Sequence, residues 1–385
     1  MSSVSNTNKE SHTCATHHEA NLAVLPFTVT PLFTLKVNNR LAEGILWDEQ
    51  QQRILWTDIE AAQLYIFTLH DAHHVDSIIT AVKSCADGDE IASEELGHLT
   101  ALALPERLGS FGLTEQPEQL ICAFESGFAL FNIATQTVQW LHKIAPDVPY
   151  TRMNDGRVDP QGNFWAGSMV ELDKFKQLQN NAVGETTSEQ PHGTNEAQQA
   201  RKARVKMHTG SLYCLTPKGD VSKQITDLHI SNSLCWSNDG TIMYHADTPT
   251  CRIKCYQLQA HSGVQQWQPL DTFVTTPEGY YPDGAITDAL GNIWSAQWGS
   301  SSVACYSSNG ELLQRISVPA EQVSCVALGG PNGDWLMVTT ASQLSDAQKA
   351  QQPQAGHVFV YQICHTATPD TMLAKYESRF TYVGC

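Results

Sequence analysis

Arg152 and Asn154, in the stretch RMNDGRVDPQGNFWAGSM from Arg152 to Met169, are two polar side chains suited to holding an oxygen-rich ligand. They stand at i and i+2, so an extended backbone projects both to one face. Asp155-Gly156 and Asp159-Pro160-Gln161-Gly162 then supply turn chemistry, and Phe164 and Trp165 begin a strand that Gly167 closes. Three more oxygen-bearing residues lead short apolar runs elsewhere: Glu43 in AEGILW, Asn232 in ISNSLCW and Asp283 in YPDGAIT. Two carboxylates and an amide oxygen form a hard ligand set of the kind Ca²⁺, Mg²⁺ or Mn²⁺ accepts, water filling the remaining positions. Taken singly, an Asn-Ser or Asp-Gly pair is an ordinary turn. Their recurrence at equivalent positions gives them chemical weight.

Those positions are equivalent because the chain repeats a phrase: a short polar lead, a strand, a D/N-x-x-G type of turn, a second strand with an aromatic residue, and a third ending in Tyr or Phe. Copies run from Ala42 to Phe67, from Gly109 to Trp140 in degenerate form, from Arg152 to Met169 completed by Gly210–Leu215, from Ile230 to Tyr256, and from Tyr281 to Tyr306. A sixth begins near Val323 and passes through Trp335 and Val338 to Tyr361. Short alternating runs such as RILWT, LICAF and WLMVT predict strands, and long helical periodicity is absent. A unit of three or four antiparallel strands, repeated about six times, predicts an all-β, six-bladed β-propeller with a central metal-binding channel into which the leading ends converge.

Two stretches break the period. Residues 72–104 are too long for a hairpin loop and hold candidate short helices, and residues 173–208 are rich in Gln, Asn, Lys and Glu with almost no apolar content, which predicts a flexible insertion. The expected organisation is a disordered or extended segment over residues 1–30, followed by one propeller domain over residues 31–385.

Lys plus Arg number 23 against 40 for Asp plus Glu, a net charge of −17, which repels a nucleic-acid backbone and disfavours an anionic membrane surface. No run of 18 apolar residues marks a transmembrane helix, and the polar, His-containing first 20 residues do not read as a secretory leader. Eleven cysteines without tight spacing fit reduced thiols, so a cytoplasmic location is expected. Cys251 and Cys255 flank a predicted strand too extended for one zinc ion, while the histidines between His12 and His18, with His70, His73 and His74, read as tail or surface. Phosphate-loop, nucleophile-elbow and HExxH patterns are missing.

Glu43 in AEG, RMNDGRVDPQGNFWAGSM, ISNSLCWSNDG, YPDGAITDALGNIWSAQWG and CVALGGPNGDWLMVTTA together resemble the successive signatures of the SMP-30/gluconolactonase family, which includes regucalcin, over roughly Leu32 to Tyr361. The resemblance implies a sugar lactonase with one divalent cation, with Ca, Mg, Mn, Zn and Fe all open. It implies Glu43, Asn232 and Asp283 as metal ligands and Arg152 and Asn154 as contacts to substrate hydroxyls. The family's acidic substrate contact after the third-signature methionine falls where this chain has Leu172, so Glu171 or Asp173 takes its place. The expected chemistry is hydrolysis of a small sugar lactone to an aldonic acid, the cation polarising the carbonyl and Asp283 accepting the proton of the attacking water. An organophosphate-hydrolysing propeller and a non-catalytic, calcium-binding regucalcin-like protein are the alternatives, with a WD40-like scaffold behind them. The particular lactone and the oligomeric state are not legible.

Overall fold

The computed structural model describes residues 30–83, 90–144, 150–177, 209–261, 264–363, 374–375 and 377–383. The leading segment to residue 29, including His12 to His18, and most of the 173–208 insertion lie outside the described residues.

The alternating runs fold into six four-stranded antiparallel sheets. In the first, β2 (Ala42–Asp48), β3 (Arg53–Asp58), β4 (Gln63–Leu69) and β5 (Gly97–Ala103) lie in order from inside to outside. The second holds β6 (Leu108–Leu113), β7 (Gln119–Phe124), β8 (Gly127–Asn132) and β9 (Thr137–Lys143). The third holds β10 (Thr151–Val158), β11 (Phe164–Val170), β12 (Gly210–Leu215) and β13 (Val221–Leu228), so β12 follows β11 in the sheet although residues 171–209 separate them in sequence. The fourth comprises β14 (Ser231–Trp236), β15 (Ile242–Asp247), β16 (Arg252–His261) and β17 (Val264–Thr275), and the fifth β18 (Tyr281–Thr287), β19 (Ile293–Trp298), β20 (Ser302–Tyr306) and β21 (Leu312–Ser317). The sixth has β22 (Val323–Gly329), β23 (Trp335–Thr340) and β24 (Val358–Gln362), and its outermost strand is β1 (Phe33–Leu35), from the other end of the chain, with Phe33 opposite Val360. Each innermost strand touches the next, and β22 touches β2, so the sheets close into a six-bladed β-propeller.

Local chemistry sets the hairpins. Asp159 accepts from the backbone N–H of Gln161 and Asn163 and from the side chains of Asn163 and Trp165. Asp288 repeats this with Leu290, Asn292 and Trp294. The shared D-x-x-G-N-x-W phrase is therefore a turn that fixes where the second strand begins, with its aspartate fully engaged.

Apolar residues from neighbouring blades meet in layers. Trp47, Trp56, Phe33, Phe67 and Trp335 fill the junction of blades one and six, and Phe128, Phe164 and Met153 that of blades two and three. Burying each such side chain contributes about 1.5–3 kcal/mol, so the inter-blade layers supply much of the stabilisation. Outermost strands such as β9 face water on most residues.

The 72–104 excursion carries a helix over Ala72–Lys83, whose Val75 and Ile79 join the core, a short helix over Ser93–Leu96, and β5 itself. It thus delivers the fourth strand of the first blade. His70, His73 and His74 are exposed. After blade six, residues 377–383 cross the face where the innermost strands end: Glu377 pairs with Arg157 at 2.7 Å, Arg379 with Asp48 at 2.9 Å and Glu49 at 3.0 Å, and the Phe380 amide donates to Leu113 O at 2.9 Å. Among the described residues no helix is long and apolar enough to cross a membrane.

Candidate active site

Each innermost strand breaks register close to its leading end. The irregularities fall between Glu43 and Leu46, Met153 and Gly156, Asn232 and Cys235, and Pro282 and Ala285. A bulge inserts an unpaired residue and re-aims the neighbouring side chains, which is how Glu43, Asn154, Asn232 and Asp283 leave the regular alternation together. The residue after the first ligand candidate is Gly44 with φ 60°, and after the second polar one Ser233 with φ 59°. At Gly284 the backbone is not left-handed, but a Cβ would lie 2.4 Å from Cys325 Sγ, so glycine is what lets blades five and six approach beside Asp283.

Glu43, Arg152, Asn154, Glu171, Asn232 and Asp283 line one cavity of about 690 Å³. Glu43 and Asp283 are each 6% exposed and Asn232 3%, so all three are buried side chains on the cavity floor. Arg152 Nη1 donates to Asn154 Oδ1 at 2.8 Å, and Asn154 Nδ2 donates to Asn232 Oδ1 at 2.9 Å and to Ser231 O at 3.0 Å. Asn232 Nδ2 donates to Thr248 Oγ1 at 2.8 Å, which fixes the orientation of the amide. Inter-blade staples hold the frame, Ser233 Oγ donating to Asp283 O at 2.5 Å and Ser324 Oγ to Ala42 O at 2.5 Å.

Burial, then the charge of Asp155, pushes the Glu43 carboxyl up to about 8. Burial followed by the charges of Glu43 and Asp155 raises Asp283 well above the carboxylate range, Arg152 offsetting only part. Two buried carboxylates that repel one another, with an oriented amide oxygen beside them, fit a divalent cation with oxygen-only preferences. Among the described residues no three His, Cys, Asp or Glu side chains come together as a metal cluster. The fit therefore depends on the third donor being Asn232.

The sequence profile described as the SMP-30/Gluconolactonase/LRE-like region matches residues 41–342. The chain belongs to this family. It is 30% identical over 329 residues to L-arabinolactonase of Azospirillum brasilense, spanning 85% of this chain and 90% of that one. It is 29% identical over 327 residues to 6-deoxy-6-sulfogluconolactonase of Pseudomonas putida, spanning 84% and 91%. Among solved structures, a calcium-binding protein, regucalcin, from Agrobacterium tumefaciens matches with a TM-score of 0.69 at 26% identity, covering 93% of this chain and 99% of that one.

In this SMP-30/gluconolactonase-family chain, Glu171 stands on the cavity wall, already ion-paired: Oε1 lies 2.8 Å from Arg107 and Oε2 2.6 Å from Lys174. Leu172 is 43% exposed at the mouth, and residues 172–177 turn helical at the root of the insertion. The sequence reading missed Glu60, Arg107, Lys174, Thr248 and Tyr281, all of which line the cavity. It also missed the charge of Asp155, whose Oδ2 accepts from the Leu234 amide at 3.0 Å and which borders a small void lined by Glu377 and Ser378. Arg107 did carry a signal, standing immediately before β6 where other blades present their site residues.

Proposed function

We propose that this protein hydrolyses sugar lactones to aldonic acids in a cation-dependent reaction. The observation carrying this reading is the convergence of Glu43, Asn232 and Asp283 with the Arg152–Asn154 pair on one cavity floor. Relatives named as lactonases, spanning most of the chain, support it.

Glu43, Asn232 and Asp283 would hold the cation, which when bound supplies Lewis-acid polarisation of the lactone carbonyl. Arg152 donates to the ring hydroxyls and Asn154 accepts from one through Oδ1, its amide hydrogens being given to Ser231 O and Asn232 Oδ1, and together they fix the carbonyl over the floor, contributing orientation. Asp283 takes the proton from water. The water oxygen bonds to the carbonyl carbon, the ring C–O bond breaks, and the ring oxygen leaves as an alcohol after receiving a proton. One water is consumed and an aldonic acid results. The free thiols among the described residues, including Cys122, Cys214 and Cys235, support a reducing, cytoplasmic setting.

The test is proton release from a panel of neutral aldonolactones by chelator-stripped protein to which Ca²⁺, Mg²⁺, Mn²⁺, Zn²⁺ or Fe²⁺ is returned singly. Turnover restored by at least one cation, and lost by a factor of roughly a thousand in Asp283→Ala at full cation occupancy, is the expected result. Near-normal turnover by that variant would remove Asp283 as the base. The likeness to a regucalcin described as a calcium-binding protein favours a second reading, cation binding without catalysis; tight Ca²⁺ binding with no lactone turned over would select it.

A further inference from the structure

Thr248, the residue that follows β15, lines the cavity and ties together two ligand candidates from different blades. Its hydroxyl donates to Pro282 O at 2.9 Å, and because a carbonyl can only accept, the hydroxyl hydrogen is committed there. Toward Asn232 the same oxygen is therefore an acceptor, taking a hydrogen of Nδ2 at 2.8 Å. That polarity decides how the Asn232 amide is turned. Its nitrogen faces Thr248, and Oδ1, which accepts from Asn154 Nδ2 at 2.9 Å, keeps a second lone pair for a cation. Pro282 immediately precedes Asp283, whose own carbonyl accepts from Ser233 Oγ. Blade four thus holds both carbonyls around Asp283 while it orients its own ligand amide.

Other blades show that the ring does not require this hydroxyl. In blades one, four and six the residue after the second strand has a shared backbone part: the amides of Ile59, Thr248 and Ala341 donate at 2.9 Å to Leu41 O, Ile230 O and Gln322 O, each just before the leading strand. In blades one and four the preceding aspartate adds to this. Asp58 accepts from the amides of Arg40 and Leu41, and Asp247 from those of His229 and Ile230. Blades one and six fill the position with the apolar side chains of Ile59 and Ala341, which pack on Leu41. The backbone bond is the structural part, and the Thr248 hydroxyl is an addition where two ligand candidates meet. We propose that Thr248 is the positioning residue that sets cation affinity, by turning the Asn232 oxygen toward the cation and tying it to the backbone that carries Asp283. This rests on the cation-dependent reading above.

The experiment is calorimetric titration of the chelator-stripped full chain with Ca²⁺, Mg²⁺, Mn²⁺, Zn²⁺ or Fe²⁺ singly, with no lactone present. Thr248→Val keeps the side-chain shape and removes both hydrogen bonds; its Kd is expected to rise about 10–100-fold, while Thr248→Ser stays within about threefold of wild type. The deciding arm repeats the Val change on an Asn232→Asp background. A carboxylate presents oxygen whichever way it turns, so there the change is expected to cost less than about threefold. Should the Val variant not fold, Thr248→Ala is read in the same two backgrounds. Equal losses in both backgrounds, a Ser variant as weak as Val, or wild-type affinity in the Val variant overturns the proposal and leaves the cation-dependent reading standing. Wild-type protein that binds none of the five cations overturns both together.

Discussion

Asn154 Nδ2 donates to Asn232 Oδ1 across 2.9 Å, joining the leading strands of blades three and four. The amide proposed to touch substrate thereby orients the amide proposed to touch the cation. Removing such an outer partner of a metal ligand costs about 10–100-fold in affinity. Asn154→Ala is accordingly expected to weaken cation binding by about tenfold or more, read by calorimetric titration in the absence of substrate. Unchanged affinity with reduced turnover would assign Asn154 to substrate alone.

Glu43 gives a stability prediction independent of turnover. Its folded pKa of about 8 lies above the unfolded value, so folding favours the protonated form. The ionised group costs the cation-free protein stability, by an amount that grows as pH rises from about 4.5 through 8. Glu43→Gln should raise the cation-free melting temperature at pH 7, by a stabilisation of about 2–3 kcal/mol, and abolish the rise with added cation that the proposed site predicts for the wild type. A variant melting below wild type without cation would contradict this.

His245, on β15, is buried and shares a 2.8 Å hydrogen bond with Ser231 Oγ, directly before Asn232. Burial, with a smaller effect from Lys254, lowers its pKa to about 3. Because the folded value lies below the unfolded one, the neutral ring is no penalty above about pH 6.5, and stability is lost as pH falls from there towards 3. Relative to His245→Gln, the wild type should lose about 1.4 kcal/mol per pH unit across that window. Parallel urea midpoints for the two proteins from pH 7 to 4 would show that the ring charges freely in the fold.

Glu377 reaches Arg157 at 2.7 Å, with both side chains largely buried. Glu377→Gln leaves that guanidinium without its charge partner and should cost about 3–5 kcal/mol. Arg157→Met in the same background should recover most of the loss, since an apolar isostere no longer demands a counter-charge. Chemical denaturation of the two variants measures this, and a loss below about 1 kcal/mol in the single variant would make the pairing energetically minor.

Much of the candidate site was legible because it is local. Glu43, Asn154, Asn232 and Asp283 each lead a strand in a repeated phrase, and the repeat itself implies a ring. The phrase also repeated Asp159 and Asp288, whose saturated hydrogen bonds show them to be turn formers. The Arg107–Glu171–Lys174 wall was not legible, because its members meet across blades from connecting segments that share no phrase. Nor was β5: an outermost strand facing water on most of its residues lacks the apolar alternation that announces inner strands. Pairing of β1 with β24 is equally silent, since nothing in Phe33–Leu35 specifies a partner at Val358–Val360.

That last pairing has a consequence for synthesis. Phe33 emerges from the ribosome 327 residues before its partner Val360. At about 5–20 residues per second the wait is on the order of tens of seconds. Until then β1 lacks the strand it pairs with in blade six, and the edge it offers to β24 stays open to other nascent chains. Premature termination just short of β24 should therefore yield aggregates containing five assembled blades' worth of chain, in place of a smaller soluble ring.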